Sequence, residues 1–235
     1  MYEQLNQFKI HPDVLNRIRP YIDLKYQMFM KKMLPRETVI LGVRLPVLRK
    51  IAQQVIHKNK DEFLLKLTTE TFEERMLYGF IIALMKEPFS IKQKYIDTYL
   101  NQIDNWSLCD SFCAALRWTS IEKQLLFPMI CTWLKSDSEY RVRTGIVMLI
   151  NHYIDAERID ICLKLFERVY HTGYYAQMAV AWAVSVCFVK FPKQTESFLA
   201  HNQLKDWTHN KSLQKIYESH RVSPDEKERM KQYKR

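Results

Sequence analysis

Trp106 and Asp110 stand four residues apart in the stretch Asp104-Asn105-Trp106-Ser107-Leu108-Cys109-Asp110-Ser111. The stretch reads as the first turns of a helix, which puts both side chains on one face. An indole ring attracts positive charge to its face, and a carboxylate one turn away adds a full opposite charge. Together they form a cradle for a cationic ligand. The plainer reading of the same pair, a core tryptophan and a capping aspartate, stands beside it.

The elements that must position this pair are helical. Only 4 glycines and 8 prolines occur among 235 residues, while 47% of residues are apolar. So few turn formers point to long helices with short connections. Apolar spacing predicts a helical stretch over residues 11–33, broken near Pro20, then helices over 47–57 and 61–67. A capping box, Thr71 with Glu74, starts a helix through residue 86. Further helices are predicted over 90–101, 106–118, 120–135 with a kink at Pro128, 139–153, 155–171, 174–190, a short one from Pro192, and 207–221. Ser223-Pro224-Asp225-Glu226 is a second capping box.

Small residues followed by apolar runs recur at Gly79, Cys113, Gly145 and Ala181, at intervals of 34, 32 and 36 residues. Each unit holds two helices, and the small residue lets neighbours approach. This is the pattern of an α-solenoid of HEAT or armadillo type. The Trp, Gly and Tyr pattern of TPR arrays is missing. The expected fold is all-α, a right-handed α-solenoid of HEAT-like repeats, forming a single domain over residues 1–235 because no linker divides the chain. Its concave face is the expected binding surface. In the repeat alignment Arg75 and Arg141 fall four residues before Gly79 and Gly145, and Arg143 follows Arg141 by two. Arg44 and Arg49 lie near the start of the 47–57 helix, where free backbone N–H groups favour phosphate. These arginines form either a ladder for a phosphate backbone or ordinary solvated helix starts.

The formal net charge is +10, with a pI of about 9.3. That balance favours polyanions, nucleic acid first and anionic membrane surfaces second. No apolar run approaches the roughly 18 residues of a membrane span, and the start of the chain lacks a signal-peptide layout. The five cysteines form no CxxC pair and no His/Cys cluster, so a zinc site is not expected. A reducing, cytoplasmic setting follows.

Three stretches in this order resemble the AlkD-type HEAT-like-repeat DNA glycosylases of alkylation repair. They are Gly42-Val43-Arg44-Leu45-Pro46-Val47-Leu48-Arg49, Trp106-xxx-Asp110, and Met178-Ala179-Val180-Ala181-Trp182. Arg143-Thr144-Gly145-Ile146 looks like that family's arginine-bearing helix start. The resemblance implies that Asp110 is the catalytic carboxylate, that Trp106 and Trp182 are paired aromatic walls, and that Arg143 holds the DNA backbone near the lesion. It implies a monofunctional glycosylase for N3- and N7-alkylated purines in double-stranded DNA, working as a monomer with no cofactor. Ser107 departs from the acidic residue that often follows the family's tryptophan. Met33-Leu34-Pro35-Arg36-Glu37 lies where active relatives lead an N-terminal DNA-contacting element into the Gly42 motif. The alternative is a non-catalytic DNA-binding protein of the same family.

Overall fold

The computed structural model describes residues 9–235. Among them it holds fourteen α-helices and no strand. The all-α expectation is met. The chain divides into two compact units, the first ending at Trp118 and the second running from Thr119 to Arg235. No composition change marks the boundary, so the sequence offers no sign of it.

The first unit contains α1 (Pro12–Ile18), a 3-10 turn (Arg19–Tyr21), α2 (Leu24–Met33), α3 (Leu45–Ile56), α4 (Lys60–Lys66), α5 (Phe72–Leu84), α6 (Phe89–Leu100) and α7 (Trp106–Ala115). Pro20 sits in the 3-10 turn and breaks the 11–33 stretch as its missing N–H requires. The core helix is α5, which packs against α3, α6 and α7. Phe72, Met76, Leu77, Phe80, Ile81 and Ile82 are all buried along it. Each such side chain contributes about 1.5–3 kcal/mol on burial. Its start is the expected capping box, Thr71 with Glu74. Gly79 lets α6 close on α5, because a Cβ there would meet the Tyr99 ring and hydroxyl at 2.6–2.9 Å. That is the role the repeat pattern predicts for its small residues.

The second unit contains α8 (Ser120–Trp133), α9 (Glu139–His152), α10 (Ile159–Glu167), α11 (Tyr174–Lys190), α12 (Pro192–His201), α13 (Asp206–Glu218) and α14 (Pro224–Met230), closed by a 3-10 turn (Lys231–Tyr233). Its core helix is α11, packed by α9, α10, α12 and α13. Several boundaries differ from expectation, most of all the helix expected over 155–171, which spans only Ile159–Glu167. Thr119 caps α8 in a capping box with Glu122, one the sequence reading did not name. Residues 155–158 form a turn in which Asp155 accepts the Arg158 N–H and guanidinium. The turn takes up the acceptor that would have capped a helix, so α10 begins only at Ile159.

Both units share one arrangement. In the first, the starts of α3, α5 and α7 lie together: Glu73 reaches the residues before α3, and Arg75 reaches those before α7. In the second, Glu139 and Arg143 near the start of α9 reach Tyr175 at the start of α11. Gln177 of α11 in turn bonds Thr208 of α13. Each unit therefore sets three helices side by side with their N-terminal ends at one edge.

Candidate functional site

The α7 start is built on a polar frame. Asn105 is fully buried, and its Oδ1 accepts the Leu108 N–H at 3.1 Å as the N-cap. Its amide donates to Asp104 Oδ1 at 2.8 Å. The other Asp104 oxygen accepts from Arg75 at 2.5 Å. The Arg75 side chain is 11% exposed and that of Asp104 is 53% exposed. Arg75, expected at the DNA, is thus a brace beneath the turn that launches α7.

Trp106 follows the cap. Its indole N–H donates to the Met33 carbonyl at 3.1 Å, at the end of α2. That bond fixes the ring against rotation. Trp106 and Asp110 are both partly exposed, while Ser107, Leu108 and Cys109 between them are buried. The i, i+4 spacing therefore places indole and carboxylate on the open face of α7. The capping role belongs to Asn105, so Asp110 is not the cap of the plainer reading.

The Gly42 motif is shaped by a buried carboxylate. Glu73 of α5 accepts the backbone N–H groups of Leu41, Gly42 and Val43 at 2.8–3.1 Å. Burial pushes its carboxyl pKa up, and the three N–H donors oppose that shift. Gly42 has φ +100°, and a Cβ there would lie 2.5 Å from the Asp23 carbonyl, so only glycine fits. The motif delivers Arg44 to the N-cap position of α3. There the Arg44 guanidinium pairs with Asp23 at 2.9 Å and lies 4.7 Å above the Tyr26 ring, with its side chain 59% exposed. The Tyr26 N–H and Arg44 hold the Asp23 carboxyl below its ordinary pKa. Arg49, also exposed, rests over the Phe80 ring at 5.0 Å.

In the second unit the framing runs between helices. Glu139 accepts the Tyr175 N–H at 2.5 Å and the Ala176 N–H at 3.3 Å. One turn later on α9, Arg143 donates to the Tyr175 carbonyl at 3.0 Å. A single residue is thus held through both its N–H and its C=O. Arg143 is buried, at 6% exposure, while Arg141 is partly exposed. Trp182 lies two turns into α11 and is partly exposed, as is Met178 one turn before it. Ala176, Ala179, Val180, Ala181, Ala183 and Val184 are buried around them.

Among the described residues no three His, Cys, Asp or Glu side chains gather as a metal site would require. No helix among them is long and apolar enough to cross a membrane. Sequence reasoning did not find Asp104, Asn105, Glu73 or Glu139 as framing residues. Asn105 carried a signal, an Asx residue directly before a helix start. Glu139 carried none, because its acceptor role runs to a residue 36 positions away.

Helices set side by side with their starts at one edge are consistent with an all-helical repeat protein. The chain matches the DNA alkylation repair enzyme family over residues 14–216 and belongs to that family. No curated protein matches it.

Proposed function

We propose that this protein is a monofunctional DNA glycosylase that hydrolyses the N-glycosidic bond of cationic N3- and N7-alkylpurines. The observation that carries the reading is the open face of α7. It presents Trp106, fixed by the Met33 carbonyl, and Asp110 one turn on, in a chain of the DNA alkylation repair family. A cationic purine is already a good leaving group. When the bond from C1′ to the base nitrogen breaks, its electron pair neutralises the base and leaves an oxocarbenium-like sugar. The Asp110 carboxylate stabilises that charge and accepts a proton as water adds to C1′. The products are a free alkylpurine, an abasic site and a proton released to solvent. Trp106 attracts the cationic base through its ring face, and the family resemblance gives Trp182 the same role.

Arg44, Arg49 and Arg141 are the more exposed guanidinium groups for the phosphate backbone, and Arg143 adds a buried one at the start of α9. The partner is double-stranded DNA, taken by a monomer in the cytoplasm. The right-handed solenoid with a basic concave face is part of the same proposal and rests on the family resemblance. The test is release of free base from a duplex carrying one N7-alkylguanine. Release from that duplex and not from its unmodified twin is expected. Binding without release leaves the non-catalytic reading.

A further inference from the structure

A row of aromatic rings crosses the surface of the second unit. Tyr140 of α9 lies against Tyr175 with ring centroids 5.4 Å apart. Tyr175 meets Tyr174 edge-on at 5.3 Å, and Tyr174 meets Trp207 of α13 edge-on at 5.8 Å. The outer end of the row is open to solvent: Tyr174 is 58% exposed and Trp207 42%. Tyr170, in the connection before α11, is 81% exposed.

The core does not need these rings. The buried face of α13 is Thr208, His209, Ser212, Leu213 and Ile216. Trp207 and Lys211, one turn apart, project from another face. A tryptophan and a tyrosine left side by side and about half exposed mark a binding site. Cations accompany the rings. The Lys211 ammonium sits 5.5 Å over the Trp207 ring. Lys211, Tyr217 and Lys234 share with Trp207 a cavity of about 440 Å³. Lys205 and Tyr170 line a second, smaller one.

Exposed ring faces interleaved with lysines are what unpaired nucleotides require: a surface on which bases stack and ammonium groups for their phosphates. The row is also anchored to the DNA-binding residues proposed above. Its second ring, Tyr175, is the residue whose carbonyl Arg143 holds and whose N–H Glu139 holds. Bound DNA at Arg143 would thus lie at the inner end of the row.

We propose that Tyr174 and Trp207, with Lys211, form a stacking platform for unpaired bases. It gives the protein a preference for DNA with a single-stranded segment over fully paired duplex. The inference rests on the DNA-binding reading above and adds the structure of the preferred DNA.

The test is fluorescence anisotropy at one fixed, low salt concentration with three labelled probes: oligothymidylate, a duplex with a short single-stranded gap, and a blunt duplex of equal length. The wild type is expected to bind the gapped duplex more tightly than the blunt one, and to bind oligothymidylate measurably. Trp207→Ala and Tyr174→Ala should each weaken binding to the probes with unpaired bases by about tenfold, the scale of one base–aromatic stack. Blunt-duplex affinity should not change. Trp207→Phe should keep most of the preference, which separates loss of a ring from loss of fold. Equal affinity of the wild type for gapped and blunt duplex overturns the platform. Alanine variants that retain the preference also overturn it. Equal losses on all three probes would make the patch a duplex contact, against the proposal. Failure of the wild type to bind any probe overturns the DNA-binding reading itself.

Discussion

Helices α7 and α11 carry the two candidate tryptophans, yet their starts are held in opposite ways. At α7 the frame is local. Asn105 caps its own helix and Asp104 precedes it, while Arg75 and the Met33 carbonyl arrive from elsewhere in sequence. At α11 no side chain caps the helix from within the chain just before it. The first turn is gripped from α9, with Glu139 on the N–H of Tyr175 and Arg143 on its carbonyl. The first design fixes one side chain, Trp106, beside one carboxylate. The second ties the position of a whole helix to a neighbouring arginine. Residues of one type therefore differ in setting: Arg75 pairs with Asp104, Arg143 is buried and holds the Tyr175 carbonyl, and Arg141, proposed like Arg143 for the DNA backbone, is more exposed.

The contrast can be broken by substitution. The largest stability effect is expected at Glu139→Ala, which strands two N–H groups at the start of α11. It should cost about 2 kcal/mol, the scale of hydrogen bonds to a charged group, read as a shift of the urea midpoint. Glu139→Gln keeps an acceptor and should cost less. Equal losses for the two would mean that the carboxylate does not carry the grip.

Arg143→Ala should come next. It frees the Tyr175 carbonyl at a cost of roughly 1–1.5 kcal/mol and also weakens binding across DNA sequences. Arg141→Ala should cost less, about 0.5 kcal/mol as for other surface substitutions, and lower the log–log salt slope of DNA binding by about 1. A stability loss at Arg141 equal to that at Arg143 would erase the distinction between them.

Asn105→Ala removes the α7 cap and should cost about 1 kcal/mol. Its signature is local: the indole environment of Trp106 should change in fluorescence while duplex affinity holds. An unchanged urea midpoint would show that the cap contributes nothing.

The smallest effect is a pH dependence confined to the second unit. His209 is fully buried between Asn202 and the Tyr233 carbonyl. Burial holds its pKa below the ordinary 6.5, with Arg235 pushing the same way and Asp206 and the Tyr233 carbonyl opposing. The folded protein therefore stays neutral there while the unfolded chain takes up a proton. Stability is unaffected above the ordinary histidine range and falls as pH drops below about 6.5 toward the folded pKa. His209→Gln should flatten that segment of the curve, and an unchanged slope would assign it to other groups.

These differences explain what the sequence could disclose. Helix periodicity, the capping boxes at Thr71 and Ser223 and the shared face of Trp106 and Asp110 depend on neighbours within a few residues, and all were legible. The role of Gly79 was legible as well, because a glycine inside an apolar helical run weakens the helix unless a neighbour packs against it. The pairing of Arg75 with Asp104 was not legible, because a helix-start arginine looks the same whether it faces phosphate or a carboxylate. Glu73 and Glu139 read as ordinary acidic residues of a first helical turn. Their acceptor roles depend on partners about 30 or more residues away. The exposed end of the aromatic row was hidden for the same reason, since Tyr174 and Trp207 become neighbours only when α13 packs on α11.

The central claim is that the Asp110 charge acts in the transition state. Asp110→Asn keeps the side-chain shape and an acceptor oxygen but removes the charge. Single-turnover excision of one N7-alkylguanine should slow by ~10²-fold, or about 2.7 kcal/mol, the scale of one electrostatic stabiliser, while affinity for the same duplex is unchanged. Equal excision rates for the wild type and Asp110→Asn would contradict the account.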